Sequence, residues 1–146
     1  MKKKPVSRLR DQLKRHEGFR GKPYEDTTGH TTIGYGRNLE ANPLSKSEAS
    51  LMLENDIIRT YNELIKRLPW ILDLNRVRQE ALINMAFNLG VGGLLRFKKM
   101  LKALREEEYS QAGAEALASK WAEQVGNRAT EIAFQIKRGE YIRAGW

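Results

Sequence analysis

The 21 residues from His16 to Gly36, HEGFRGKPYEDTTGHTTIGYG, hold five of the chain's twelve glycines and lie between basic segments of helical character. Glycine costs about 1 kcal/mol against alanine in a helix interior, so a run this dense cannot continue a helix. The chain is therefore limited to folds in which a short first helix gives way to turns before helices resume. Ser7 reads as the N-cap of that first helix. Leu9, Leu13 and Glu17 recur at every fourth position, which puts them on one face and points the acid where the leucines point, inward. Gly18 and Gly21 end the helix. Tyr24 to Asp26 and His30 to Tyr35 read as two short strands, joined by the three-residue loop Thr27-Thr28-Gly29 with glycine at the left-handed position. Gly34 and Gly36 mark a bulge or a close approach of backbone.

Beyond a loop over 37–44, Ser45 and Glu48 have the spacing of a capping box and predict a helix start. Leu53, Ile57, Tyr61, Leu64 and Leu68 give that helix one apolar stripe, and Pro69 closes it after some 22 residues, about 33 Å at ~1.5 Å per residue. Such a helix is long enough to link two lobes. The second half reads as helices alone: 76–89 with Val77, Ala81, Met85 and Leu89 inward and a stop at Gly90, then 94–104, 109–124 and 128–138. Gly92-Gly93, the acidic run Glu106 to Glu108, and Gly126-Asn127 separate them, and Gly139 supplies a C-cap. The expected class is α+β, mainly α.

Composition narrows the function. At 146 residues the chain suits one domain or two small lobes. No apolar run reaches the roughly 20 residues needed to cross a bilayer, so no stable membrane insertion is expected. Zero cysteines and two histidines, His16 and His30, predict no metal and no cofactor. A formal charge of +8 favours polyanionic partners such as an anionic envelope surface. Nine of the 26 Lys and Arg residues fall within the first 22 positions, a run that equally suits a solvated face. No helix-turn-helix, zinc or RNA-recognition pattern accompanies the charge, so no nucleic acid is expected. The start MKKKPVSRLR has the charge of a signal peptide without its apolar stretch.

Chemistry requires carboxyls that converge. Taken singly, Glu17 suits a solvated or ion-paired terminus, Asp26 an Asx turn, and Thr32 a strand chosen for β propensity. Two carboxyls on one cleft would instead suit glycoside hydrolysis, which needs one to protonate the leaving oxygen and one to manage charge or water. The motifs HEGFR, YEDTTGHTTIGYG, VRQEALINMAFNLG and WAEQVGNRA occur in that order over most of the chain. The chain thereby resembles phage lysozymes of the T-even type, glycoside hydrolase family 24. That resemblance implies a lysozyme-like two-lobed fold: a small N-terminal β-hairpin lobe over about 16–52, a long linking helix, and a helical lobe over about 70–146 joined by helix 7–16. The whole of 1–146 would form one catalytic domain.

The same resemblance implies a muramidase cleaving the β-1,4 bond between N-acetylmuramic acid and N-acetylglucosamine in peptidoglycan, by inversion. Glu17 aligns with the general acid, Asp26 with the second carboxylate, and Thr32 with the hydroxyl that helps hold the attacking water. Arg128 matches an arginine that pairs with the catalytic glutamate, and Asn88 an amide facing the sugar. Burial of Glu17 against the leucines would raise its pKa and Arg128 would lower it. Tyr24, Phe87 and Trp121 match aromatic positions, as substrate contacts or, more simply, as packing. The segment 37–44 is shorter than its counterpart, and Arg37 stands for a histidine, predicting a structural Arg37 to Asp56 ion pair. The resemblance further implies a monomer made in a host cytoplasm and released to the wall through a holin-type lesion. Two rival readings stand: a lytic transglycosylase on the same bond, and a cationic membrane-active protein working through helices such as LLRFKKMLKAL.

Overall fold

The computed structural model describes residues 6–143. Among the described residues, eight α-helices and three strands follow one another as α1 (Ser7–Glu17), β1 (Arg20–Glu25), β2 (Thr31–Gly34), β3 (Arg37–Asn38), α2 (Lys46–Arg67), α3 (Arg76–Leu89), α4 (Val91–Leu94), α5 (Lys98–Arg105), α6 (Tyr109–Leu117), α7 (Lys120–Val125) and α8 (Asn127–Arg138). The fold is α+β and mainly helical, with its sheet near the N-terminus, as expected. The chain divides within α2 into two compact units, one running through Leu51 and the other starting at Met52.

In the first unit the sheet is antiparallel in the order β1-β2-β3. Tyr24 pairs with Thr32 and Glu25 with Thr31, and the register shifts between Arg20 and Tyr24. Pro23, which has no amide proton to give, sits in the edge strand β1 where the ladder tolerates it. The hairpin loop is the three-residue form: Asp26 N–H donates to His30 O (2.9 Å), Gly29 N–H donates to Asp26 O (3.0 Å), and Gly29 has φ +80°. Strand β3 corrects the expected loop. Its Asn38 pairs with Thr32 and Arg37 with Ile33, and two residues are too few to show a period of two.

The capping box at the start of α2 forms in both directions, with Glu48 N–H donating to Ser45 Oγ (3.1 Å) and Ser45 N–H to Glu48 Oε1 (2.9 Å). Ser7, by contrast, is the first helical residue of α1, and Val6 precedes it without a side-chain cap. Nor is the leucine face of α1 a core face, since Leu9 and Leu13 are 49% and 44% exposed. The first unit gathers no apolar core of its own among the described residues; its one buried side chain is Thr32.

The second unit holds the apolar core, built around Leu64, Ile71, Leu82, Met85, Leu94, Met100, Leu104, Ile132 and Ile136. Of the four residues expected inward on α3, Ala81 and Met85 are buried and Val77 and Leu89 partly so. On α2 only Leu64 is buried; Leu53 and Ile57 are exposed. The expected helix 109–124 is two helices, because Ser119 Oγ caps α7 by accepting from Ala122 N–H (3.1 Å) while donating to Ala116 O (2.7 Å). The expected helix 94–104 likewise breaks, and a 3₁₀ turn at Pro69–Asp73 was not anticipated. Gly139 ends α8 in the left-handed conformation, as the sequence predicts. No helix among the described residues is long and apolar enough to cross a membrane.

Candidate active site

Glu17 is the last residue of α1, and Gly18 turns the chain there with φ +70°. Its carboxylate lies against Gly36, between β2 and β3. A Cβ built on Gly36 would overlap Glu17 Oε2 and stand 2.9 Å from Cδ and 3.3 Å from Cγ. Gly36 also has φ +74°, which L side chains rarely adopt. Both requirements select glycine, and the close approach that Gly34 and Gly36 signalled is made at Gly36. Glu17 itself is exposed, so the burial expected against the leucine face is absent.

Asp26 ends the first arm of the hairpin, and its Oδ1 collects three donors: Thr28 N–H (2.9 Å), Thr28 Oγ1 (2.8 Å) and His30 N–H (2.9 Å). These bonds favour the charged form. The Asp26 pKa therefore lies below the ordinary carboxylate value, chiefly through the His30 amide and then the Thr28 hydroxyl. The Asx turn is thus present, and it coexists with a place on a groove. Glu17, Phe19, Arg20, Tyr24, Glu25 and Asp26 border one open depression of about 480 Å³ in the first unit. Tyr24 is half-buried there, with the Arg20 guanidinium 4.4 Å above its ring.

Thr32 is 3% exposed, and its hydroxyl donates to His30 O (2.9 Å). That carbonyl also accepts from Asp26 N–H (2.9 Å), so one backbone group ties Asp26 to Thr32. The hydroxyl proton of Thr32 is committed, and Thr32 is not among the residues that border the groove of Glu17 and Asp26.

The remaining expected residues belong to the second unit. Arg128 is held on Asn84, through Nε to Oδ1 (3.0 Å) and Nη2 to Oδ1 (2.7 Å). Asn84, Phe87 and Arg128 line a groove of about 340 Å³ with Leu53, Ile57, Glu80, Ile83 and Tyr141. Phe87 is 44% exposed, so it is not the packing residue the sequence suggested, whereas Trp121 at 4% is. Asn88 is exposed and accepts the Trp121 indole N–H at Oδ1 (2.8 Å), a structural duty for its oxygen. Arg37 pairs with Glu48, and Asp56 with Arg59, in place of the expected Arg37 to Asp56 bridge. The correction has a local cause: the capping box already fixes Glu48 at the start of α2 and presents it to β3.

Sequence reasoning missed Asn84, Thr28 and His30. Asn84 stands within a quoted motif but has no local signature, and the two turn residues read only as hairpin formers.

A sequence profile of phage lysozymes matches residues 14–138. The chain belongs to the phage lysozyme family. It is a glycoside hydrolase of lysozyme type, and peptidoglycan is the substrate of that class. Among curated proteins it is 29% identical to the probable T4-type lysozyme 1 of Dictyostelium discoideum, over 92% of this chain and 96% of that one. It is 29% identical to the endolysin of Acyrthosiphon pisum secondary endosymbiont phage 1, over 90% of each. It is also 31% identical to the pre-baseplate central spike protein Gp5 of Enterobacteria phage T4, where 92% of this chain spans 28% of that protein.

Proposed function

We propose that this phage lysozyme is a muramidase that hydrolyses the β-1,4 bond between N-acetylmuramic acid and N-acetylglucosamine, with inversion. The observation that carries the reading is that Glu17 and Asp26 border one groove. Glu17 gives its proton to the glycosidic oxygen as the bond to C1 breaks. Asp26, kept anionic by its three donors, takes the proton from the water whose oxygen attacks C1, and its charge steadies the oxocarbenium-like centre between. Thr32 is assigned to holding that water on the strength of the resemblance alone. Arg128 supports the acid on the strength of the resemblance alone; Tyr24, Phe87 and Asn88 are the proposed sugar contacts. The enzyme acts as a monomer at the wall after holin-type release, its charge meeting an anionic envelope.

The membrane-active reading loses its main support, since Met100, Leu101, Ala103 and Leu104 of α5 are buried in the core. Turbidity clearing of purified sacculi tests the proposal. Glu17→Gln and Asp26→Asn abolish clearing, and the products carry reducing-end muramic acid. Undiminished lysis by Glu17→Gln would remove the acid from the scheme, and 1,6-anhydro products would establish the transglycosylase instead.

A further inference from the structure

The hydroxyl of Thr28 has one proton, and the carboxylate of Asp26 can only accept. The 2.8 Å contact from Thr28 Oγ1 to Asp26 Oδ1 therefore uses that proton. Thr28 Oγ1 also lies 2.6 Å from His30 Nδ1, and with its proton spent it must accept there. The imidazole thus carries its proton on Nδ1 and hands a bond down a short chain, from ring to hydroxyl to carboxylate. The ring does not reach the acid directly, since Nδ1 stands 3.7 Å from Oδ1. Two backbone amides, from Thr28 and His30, complete the set on the same oxygen. Oδ1 is saturated by three donors, and no described residue bonds Oδ2.

We propose that Thr28 and His30 are positioning residues for Asp26: they lock Oδ1 to the turn so that Oδ2 alone is presented to the reacting water. The inference rests on the reading of Asp26 given above and adds two side chains to it. A turn alone would be satisfied by the two amides, which any residue at positions 28 and 30 except proline supplies. The hydroxyl and the ring are extra, and they act in the same direction on the charge of Asp26. Glu17, Arg20 and Glu25 are the other charged residues that border the same groove.

The test uses the full chain with Thr28→Val, Thr28→Ser, His30→Ala and Asp26→Asn, read by kcat and KM on sacculi and by carboxyl-carbon titration of Asp26. Thr28→Val lowers kcat about tenfold, the equivalent of one charge-assisted hydrogen bond, with KM nearly unchanged. The Asp26 titration and the acid limb of the rate profile both move to higher pH, and Thr28→Ser restores them. His30→Ala gives a smaller loss in the same direction and carries the test if Thr28→Val does not fold. A merely structural pair would lower the melting temperature and leave the titration and the rate profile in place, which overturns the proposal. So does wild-type kcat in Thr28→Val beside a dead Asp26→Asn, with the role of Asp26 intact. Lysis by Asp26→Asn would sink the role of Asp26 itself, and the positioning with it.

Discussion

Gly36→Ala separates strain from displacement at the proposed acid. The backbone there has φ +74°, and a left-handed alanine costs about 1–2 kcal/mol, reduced by the ~0.5–1 kcal/mol that alanine recovers by restricting the unfolded chain. The net loss is about 1 kcal/mol, or roughly 3 °C in melting temperature for a chain of this size. The new methyl also falls on Glu17, and the three atoms nearest to it belong to that side chain, with Cδ at 2.9 Å and Cγ at 3.3 Å. A flexible carboxylate moves more cheaply than backbone, so the acid shifts by about 1 Å and kcat falls about a hundredfold. Gly34→Ala is the control: it has φ +70°, but nothing lies within 4 Å of its Cβ. It should lose the same stability and keep most of its activity. Thermal melts and initial clearing rates of sacculi, run on both variants, read the two effects apart. Equal activities in the two would refute the reasoning that Gly36 exists to seat Glu17.

Three further outcomes concern stability. Glu107 has φ +61° at the end of α5, where Glu108 N–H reaches Ala103 O (2.8 Å) and Glu107 N–H reaches Leu104 O (3.1 Å), a helix ending that favours glycine; Glu107→Gly raises stability by about 0.5–1 kcal/mol in a thermal or urea melt. Arg78 donates to Ile136 O (2.7 Å) and Lys137 O (3.1 Å) at the end of α8 and stacks 3.5 Å from the Tyr109 ring centre. Arg78→Ala costs about 2–3 kcal/mol in urea unfolding, and Arg78→Lys recovers only part, because an ammonium cannot make the fork and the stack together. Glu48 is held down to about 2 from an ordinary 4.5, first by Arg37 and then by Ser45. A depressed folded pKa contributes stability that is complete above about 4.5 and lost as pH falls towards 2. Glu48→Gln should therefore flatten the fall in melting temperature across that window, and an unchanged slope would contradict the assignment.

The elements that local chemistry governs were legible in the chain. A capping box satisfies its own backbone donors, so Ser45 and Glu48 announced the start of α2 without reference to anything distant. Gly29 and Gly139 marked their turns because positive φ is a property of one residue. The order of the motifs around Glu17, Asp26 and Thr32 was enough to place the family. Folding decided what depends on partners far along the chain. Strand β3 exists because β2 offers its second edge to Arg37 and Asn38, which carry no strand signal themselves. Arg37 found Glu48, and Arg128 found Asn84 across 44 residues. The seat of Glu17 on Gly36 belongs to the same class. Caps and turns are closed within a few residues and so leave a spacing to read; a contact closed by tertiary packing is selected by shape and charge at both ends, and neither end records the other.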